Sequence, residues 1–254
     1  MPGLDPQAAR LLRVMRRLRL RPVDELPVDR GRRLEAFGHA VLGEAARPVA
    51  QVTAHQAPGP DGAVPIRVYR PEHARPLMIV YCHGGGGVIG SVDSYDAITR
   101  RMAVETGCLV ASVDYRLAPE HPHPAAIDDA LAAWRWATAA AAELGVTALA
   151  IAGDSFGGYL AAHVVRHRAA LRRPDLQLLI YPLLDLTHPH PSMRAHGEGR
   201  LLTRRMIEYF ARQVGVADGD RVAASPGLDA DLAGVPPTIV VTAGFDPLAD
   251  DGRV

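Results

Sequence analysis

Short runs of purely apolar residues recur along this chain and alternate with longer stretches of helical periodicity. The runs Leu77–Tyr81, Leu109–Val113, Ala148–Ala152, Leu176–Tyr181 and Thr238–Thr242 have the character of strands covered on both faces. Between them, Tyr95–Glu105, Ala125–Glu143 and Gly158–Ala170 carry helix formers with apolar positions three and four apart. This repeated order predicts an α/β fold, a mostly parallel sheet with helices on both sides. Two earlier β-rich runs, Ala50–His55 and Val64–Tyr69, flank Pro58-Gly59-Pro60-Asp61-Gly62 and predict an antiparallel hairpin opening the sheet.

One interval breaks the rhythm. From Asp185 to Val235 there is no strand pattern, only a helical piece around Thr203–Val214. Together with the helical N-terminal stretch, residues 1–45, this interval predicts a cap above the sheet, within a single domain spanning 1–254. The segment Leu11–Leu20 (LLRVMRRLRL) places arginines between apolar residues at helical spacing. Such a helix docks on its own domain more often than on an anionic membrane surface.

Composition narrows the function classes. The 254 residues are 48% hydrophobic with a formal net charge of zero, and no lysine occurs. Balanced charge argues against a nucleic-acid partner, and the missing lysine excludes a phosphate-binding P-loop. Cys82 and Cys108 each lie in an apolar run and read as core residues rather than a disulfide. No signal layout and no membrane-length apolar stretch is present, so a cytoplasmic location is expected.

The strongest chemical signal is Gly153-Asp154-Ser155-Phe156-Gly157, followed by Gly158, directly after one strand run and directly before a helix. In that context the sequence predicts a nucleophile elbow, a turn so tight that side chains flanking the serine would collide. His83-Gly84-Gly85-Gly86-Gly87, at the end of an earlier strand, supplies bare backbone able to approach a developing oxyanion. The expected donors are amides among Gly84, Gly85 and Gly86 together with Phe156, with His83 as an anchor of the loop. Gly85-x-Gly87-x-x-Gly90 also matches a dinucleotide fingerprint, but two β runs precede it and the helix starts only near Ser94. Asp246, just past the last apolar run, is placed to orient an imidazole, with Asp185 as the alternative acid. His163 and His167, four apart on a helix, lack the glutamate of a zinc protease and read as solvated helix histidines, and no metal or cofactor is expected.

These motifs, with Asp114-Tyr115-Arg116-Leu117-Ala118-Pro119-Glu120-His121-Pro122, the YPLLDL run from Tyr181 to Leu186 and the GFDPLADDG run from Gly244 to Gly252, span nearly the whole chain. In them the sequence resembles the hormone-sensitive-lipase family of α/β-hydrolases, the bacterial esterases with an HGGG loop. The resemblance implies the α/β-hydrolase fold, Ser155 as nucleophile, Asp246 as acid, and short or medium acyl esters as small-molecule substrates. It also implies that Arg116, Glu120 and Asp128 tie down the loop after the fourth strand. Gly87 stands where the family often has an aromatic residue, and Phe156 where alanine is usual.

In this fold the triad histidine follows the acid by one further strand. None of the 11 histidines lies after Asp246, and the chain ends eight residues beyond it. The expectation is therefore that the final strand, the histidine loop and the last helix are missing, and that this polypeptide alone is at least several thousand-fold slower than a full-length parent. Loss of that strand would leave Thr238–Thr242 as an open edge, which invites pairing with a second copy or a partner chain. A lid histidine, His188, His190 or His196, is the conceivable substitute base. A non-catalytic ligand-binding protein on the same scaffold and an amide or formamide hydrolase are the rival readings.

Overall fold

The computed structural model describes residues 3–19, 21–167, 169–187 and 190–253. Of the sequence expectations, His188 and the end of the Leu11–Leu20 segment fall outside these residues.

The hairpin opens the sheet, as its pattern predicts, with strands longer than the apolar runs. Strands β1 (Gln51–Gly59) and β2 (Gly62–Arg70) pair in register from Gln51 opposite Arg70 to Gly59 opposite Gly62. Five strands follow: β3 (Leu77–Cys82), β4 (Leu109–Val113), β5 (Ala148–Asp154), β6 (Leu176–Ile180) and β7 (Thr238–Val241). The sheet order is β1-β2-β4-β3-β5-β6-β7. β2 meets β4 antiparallel, and every pairing from β4 through β7 is parallel.

This order locates the functional crevice before any side chain is considered. The chain passes from β3 to β4 on one side and then returns to place β5 on the other, so the connections diverge above the carboxyl ends of β3 and β5. Open α/β sheets bind ligands at such a switch point. Because β3 and β5 pair directly, with Cys82 opposite Gly153, the loop after one lies beside the turn after the other.

Helices cover both faces. Helices α1 (Pro6–Arg17) and α2 (Val28–Leu42) precede the sheet, and α3 (Asp96–Thr106) packs on β2 and β4. On the opposite face α4 (Ala125–Ala140) and α5 (Phe156–Arg166) pack against each other and the central strands. Their core includes Trp134, wholly buried, with Nε1 donating to the Arg172 carbonyl at 2.8 Å. The Asp185–Val235 interval contains no strand among its described residues, only α6 (Pro191–His196), α7 (Arg204–Val214) and single 3₁₀ turns. Asp5 caps α1 through the amides of Gln7 and Ala8, and Thr203 caps α7 through that of Met206. Both cysteines are free and buried. No helix is long and apolar enough to cross a membrane among the described residues.

Two local expectations need correcting. The partner of Arg116 on α4 is Asp129 rather than Asp128: Nη2 meets Oδ1 at 2.9 Å, and the guanidinium also reaches Asp61 at 2.7 Å. His163 is not a solvated helix histidine. It is 4% exposed, its Nε2 donates to the Ala224 carbonyl at 3.2 Å, and burial lowers its pKa to about 3.

Candidate active site

Ser155 sits between β5 and α5 at φ 53° and ψ −117°, a backbone conformation rarely held by a residue with a side chain. Packing on every side keeps it there. Its amide donates to the Ile180 carbonyl at 2.9 Å, and its carbonyl accepts from the amides of Tyr159 and Leu183, each at 3.2 Å. A Cβ on Gly153 would collide with the Gly157 carbonyl, and one on Gly157 would collide with the Cys82 carbonyl. The turn therefore closes only with glycine at both flanks, which is the physical content of the motif.

The loop after β3 is built from glycines in the left-handed region: Gly85 at φ 104°, Gly86 at 63°, Gly87 at 71° and Gly90 at 92°. The amides of Val88 and Ile89 both donate to the Gly85 carbonyl, at 3.1 and 3.0 Å, which folds the loop back on itself. His83 anchors it from beneath, with Nδ1 donating to the Gly84 carbonyl at 2.7 Å. Burial holds the His83 imidazole down at about 4, so it is neutral at pH 7. The Tyr115 hydroxyl donates to the His83 carbonyl at 2.8 Å.

Asp154, just before the serine, is 5% exposed and accepts from the hydroxyls of Tyr81 at 2.6 Å and Tyr95 at 3.1 Å. Burial pushes its carboxyl upward, opposed by those two hydrogen bonds and by one from the Gly84 backbone. Of the three candidate loop glycines, Gly84 lies against the Asp154 carboxylate, where an added Cβ would collide with Oδ2, while Gly85 and Gly86 line the cavity beside Ser155 and Phe156. From the other side Arg32 of α2 clamps the loop. Its Nε donates to the Val88 carbonyl at 2.8 Å, Nη2 to the Ala118 carbonyl at 3.0 Å, and Nη1 and Nη2 to Glu120 at 2.9 and 2.7 Å. Neither Asp154 nor Arg32 was assigned a role from the sequence. Asp154 directly follows the apolar run Ala148–Ala152 and Gly153, which was a readable signal of a buried carboxylate, whereas Arg32 had none nearby.

The two departures from the family pattern lie against each other. The Phe156 ring occupies the space over Gly87, where an added Cβ would stand 2.7 Å from Cζ. The aromatic group is thus supplied from the helix side of the elbow rather than from the loop.

Asp246 lies in the turn after β7, where its Oδ1 accepts from the Leu248 amide at 2.9 Å. Burial raises its pKa, opposed by that bond and by His196, whose ring stands edge-on to Phe245 with centroids 5.6 Å apart. Asp185 also lines the cavity on which Ser155 opens, where it accepts from the Thr187 amide and hydroxyl at 2.7 and 2.6 Å and faces His190 Nε2 at 3.3 Å. Ser155, Gly85, Gly86, Phe156 and Asp246 all line one cavity of about 1230 Å³, with no histidine among the described lining residues. Leu12 of α1 and Phe210 of α7 close it from above. No group of three or more potential metal ligands occurs among the described residues.

A strand-turn-helix serine facing a glycine loop at the switch point of a largely parallel sheet defines an α/β-hydrolase. Residues 79–254 match the family described as alpha/beta hydrolase fold (Abhydrolase_3), and the chain belongs to that family, in its hormone-sensitive-lipase branch. It is 43% identical over 217 residues to the carboxylic ester hydrolase LipN of Mycobacterium tuberculosis, covering 80% of this chain and 57% of that protein. To the ethyl acetate hydrolase of Pseudomonas putida it is 37% identical over 243 residues, covering 91% and 76%. The hyperthermophilic esterase from Pyrobaculum calidifontis superposes with a TM-score of 0.90 at 38% identity, covering 100% of this chain and 83% of that one.

Proposed function

We propose that this chain carries the nucleophile, oxyanion loop and acid of a serine carboxylesterase acting on short or medium acyl esters. Ser155 Oγ attacks the ester carbonyl carbon while its proton passes to an imidazole base. The amides of Gly85, Gly86 and Phe156 receive the negative charge that develops on the carbonyl oxygen. Collapse of the tetrahedral adduct expels the alcohol, which takes the proton from the imidazolium and leaves an acyl-Ser155 ester. Water then attacks that ester, returning the serine and releasing the acid. Asp246 orients the imidazole, and the segments 1–45 and 185–235 cap the acyl site.

The observation that carries this reading is the strained Ser155 opening on the same cavity as Gly85, Gly86 and Asp246. Because no described histidine lines that cavity, the polypeptide 1–254 is expected to be a slow catalyst whose missing function a soluble base can replace. The test is hydrolysis of p-nitrophenyl butyrate with and without added imidazole. The expected rate without it is at least several thousand-fold below the roughly 10 s⁻¹ typical of enzymes. Once imidazole's own attack on the p-nitrophenyl ester, measured without protein, is subtracted, imidazole should raise the rate in proportion to concentration, and the Ser155→Ala variant should show no such increase.

Turnover at ordinary esterase rates without imidazole would refute the expected handicap. A ligand-binding protein on this scaffold, the competing reading, predicts ester binding with no Ser155-dependent turnover at any imidazole concentration. Comparing butyrate ester with butyranilide under rescue separates esterase from amidase.

A further inference from the structure

Three side chains, Phe156, Tyr159 and Val214, face two cavities at once. On one side is the large chamber containing Ser155, and on the other a recess of about 10 Å³. That recess is at the threshold of holding a single water. Its far wall is formed by Ala118, Pro124, Ala126 and Ile127 with His121 and His123 at its edge, and Gly87 lies above. The Phe156 ring is what keeps it so small. The ring is 5% exposed, lies 5.1 Å from the Tyr159 ring between centroids, and fills the space left open by the absent side chain of Gly87.

We propose that Phe156 is a specificity-determining residue: its ring closes the end of the chamber beneath Gly87 and so limits to a short chain the substrate group lying on that side of Ser155. The inference rests on the hydrolase reading given above and deepens it. Phe156 has two separable parts in that reading. Its amide belongs to the oxyanion site and survives any side-chain substitution, whereas its ring sets how far the cavity extends. Gly87 cannot take over the ring's part, since φ 71° disfavours a side chain there and a Cβ would meet Phe156 itself.

Removing the ring merges the recess with the chamber and exposes to the ligand a mainly apolar wall of Ala118, Pro124, Ala126 and Ile127, edged by His121 and His123. Each methylene that enters such a space strengthens binding by roughly fourfold. Tyr159 and Val214 still close the sides, so the extension runs in one direction. The signature is a shift of the chain length at which affinity stops rising, rather than a uniform gain.

The probes are straight-chain alkylboronic acids of increasing length, which form reversible esters with an accessible serine hydroxyl and release water. Affinities are measured by calorimetry for the full chain, Phe156→Ala, Phe156→Leu and Ser155→Ala. In the parent, affinity is expected to rise with chain length and then break. In Phe156→Ala the rise should continue past that break at roughly fourfold per carbon. Phe156→Leu leaves a smaller void, folds where alanine does not, and should move the break by less. Ser155-dependent binding with the same break in parent and Phe156→Leu, and in Phe156→Ala where it folds, overturns the assignment of Phe156 and leaves the hydrolase reading standing. Absence of Ser155-dependent binding in every protein removes the hydrolase reading, and this inference with it.

Discussion

Ser155 and Asp246 open on one cavity, but the strands that deliver them are in opposite circumstances. β5 lies between β3 and β6, and every residue from Leu149 to Asp154 is buried. β7 is the last strand of the sheet, and all four of its residues are exposed. Around Ser155 the contacts are backbone against backbone, through Gly153, Gly157 and the Cys82 carbonyl. The Asp246 turn is instead held by side chains reaching between it and the cap. Asp251 accepts from the amides of Leu184 and Asp185 at 2.9 and 3.1 Å, Asp250 from that of Ser192 at 2.8 Å, and Ser192 Oγ donates to the Pro247 carbonyl at 2.7 Å. The nucleophile is fixed by close packing of the main chain, which tolerates no added atom, while the acid depends on a polar net.

The sharpest way to break this contrast is to add carbon to a glycine on each side. Gly157→Val drives atoms into the Cys82 carbonyl and toward the His83 carbonyl, neither of which can retreat without unpairing β3 from β5. It should cost more than about 4 kcal/mol, read by urea denaturation, or abolish folding. Gly244→Ala, beside the acid, meets nothing within 4 Å and should stay within about 0.5 kcal/mol of the parent. Equal losses at the two sites would end the distinction between main-chain and side-chain control.

A smaller effect separates the buried Asp154 from the rest of the nucleophile side. Burial raises its folded-state pKa above the usual carboxylate value near 3.9, so the folded state holds the proton more tightly than the unfolded state does. Its contribution to stability is therefore greatest at low pH and is lost as pH rises from the unfolded value through the folded one. Asp154→Asn keeps a hydrogen-bonding oxygen near Tyr81 and Tyr95 but cannot ionise. Denaturation across pH 4 to 8 should show the parent losing stability relative to the variant as pH climbs through that window. A gap moving in the other direction would contradict the pKa assignment.

Legibility in the sequence followed the same divide. The strands, the elbow and the glycine loop were readable because their signals are local: a fully apolar run, a glycine on each side of one serine, four glycines after a histidine. What escaped depended on distant groups or on orientation. Asp128 and Asp129 differ by one residue on α4, yet about 100° of helix rotation buries the second, and the nearly all-apolar helix gave no polar face to decide between them. His163 sits on α5, where almost every residue is buried, so only the 220s segment packed against it shows that it is inside. The close approach of Gly84 to the Asp154 carboxylate could not be foreseen either, since it depends on the lateral register of β3 and β5.

The smallest effect expected concerns the edge of the sheet. β7 pairs with β6 from Thr238 opposite Gln177 to Val241 opposite Ile180, and among the described residues no strand occupies its other side. Ile239, Val240 and Val241 are 51%, 41% and 47% exposed, so a polar replacement gives up little burial within the chain. Val240→Lys should lower stability by about 0.5 kcal/mol, mostly through the poor fit of lysine to a strand. Its effect on association should be larger, because an apolar edge with free amide and carbonyl groups is a template for a second strand and a charge blunts it. Sedimentation over a range of concentrations should show the parent gaining mass and the Lys variant remaining monomeric. If both gain mass alike, the exposed edge is not where copies meet, and the weaker of the two strands would have to be protected by its twist or its shortness alone.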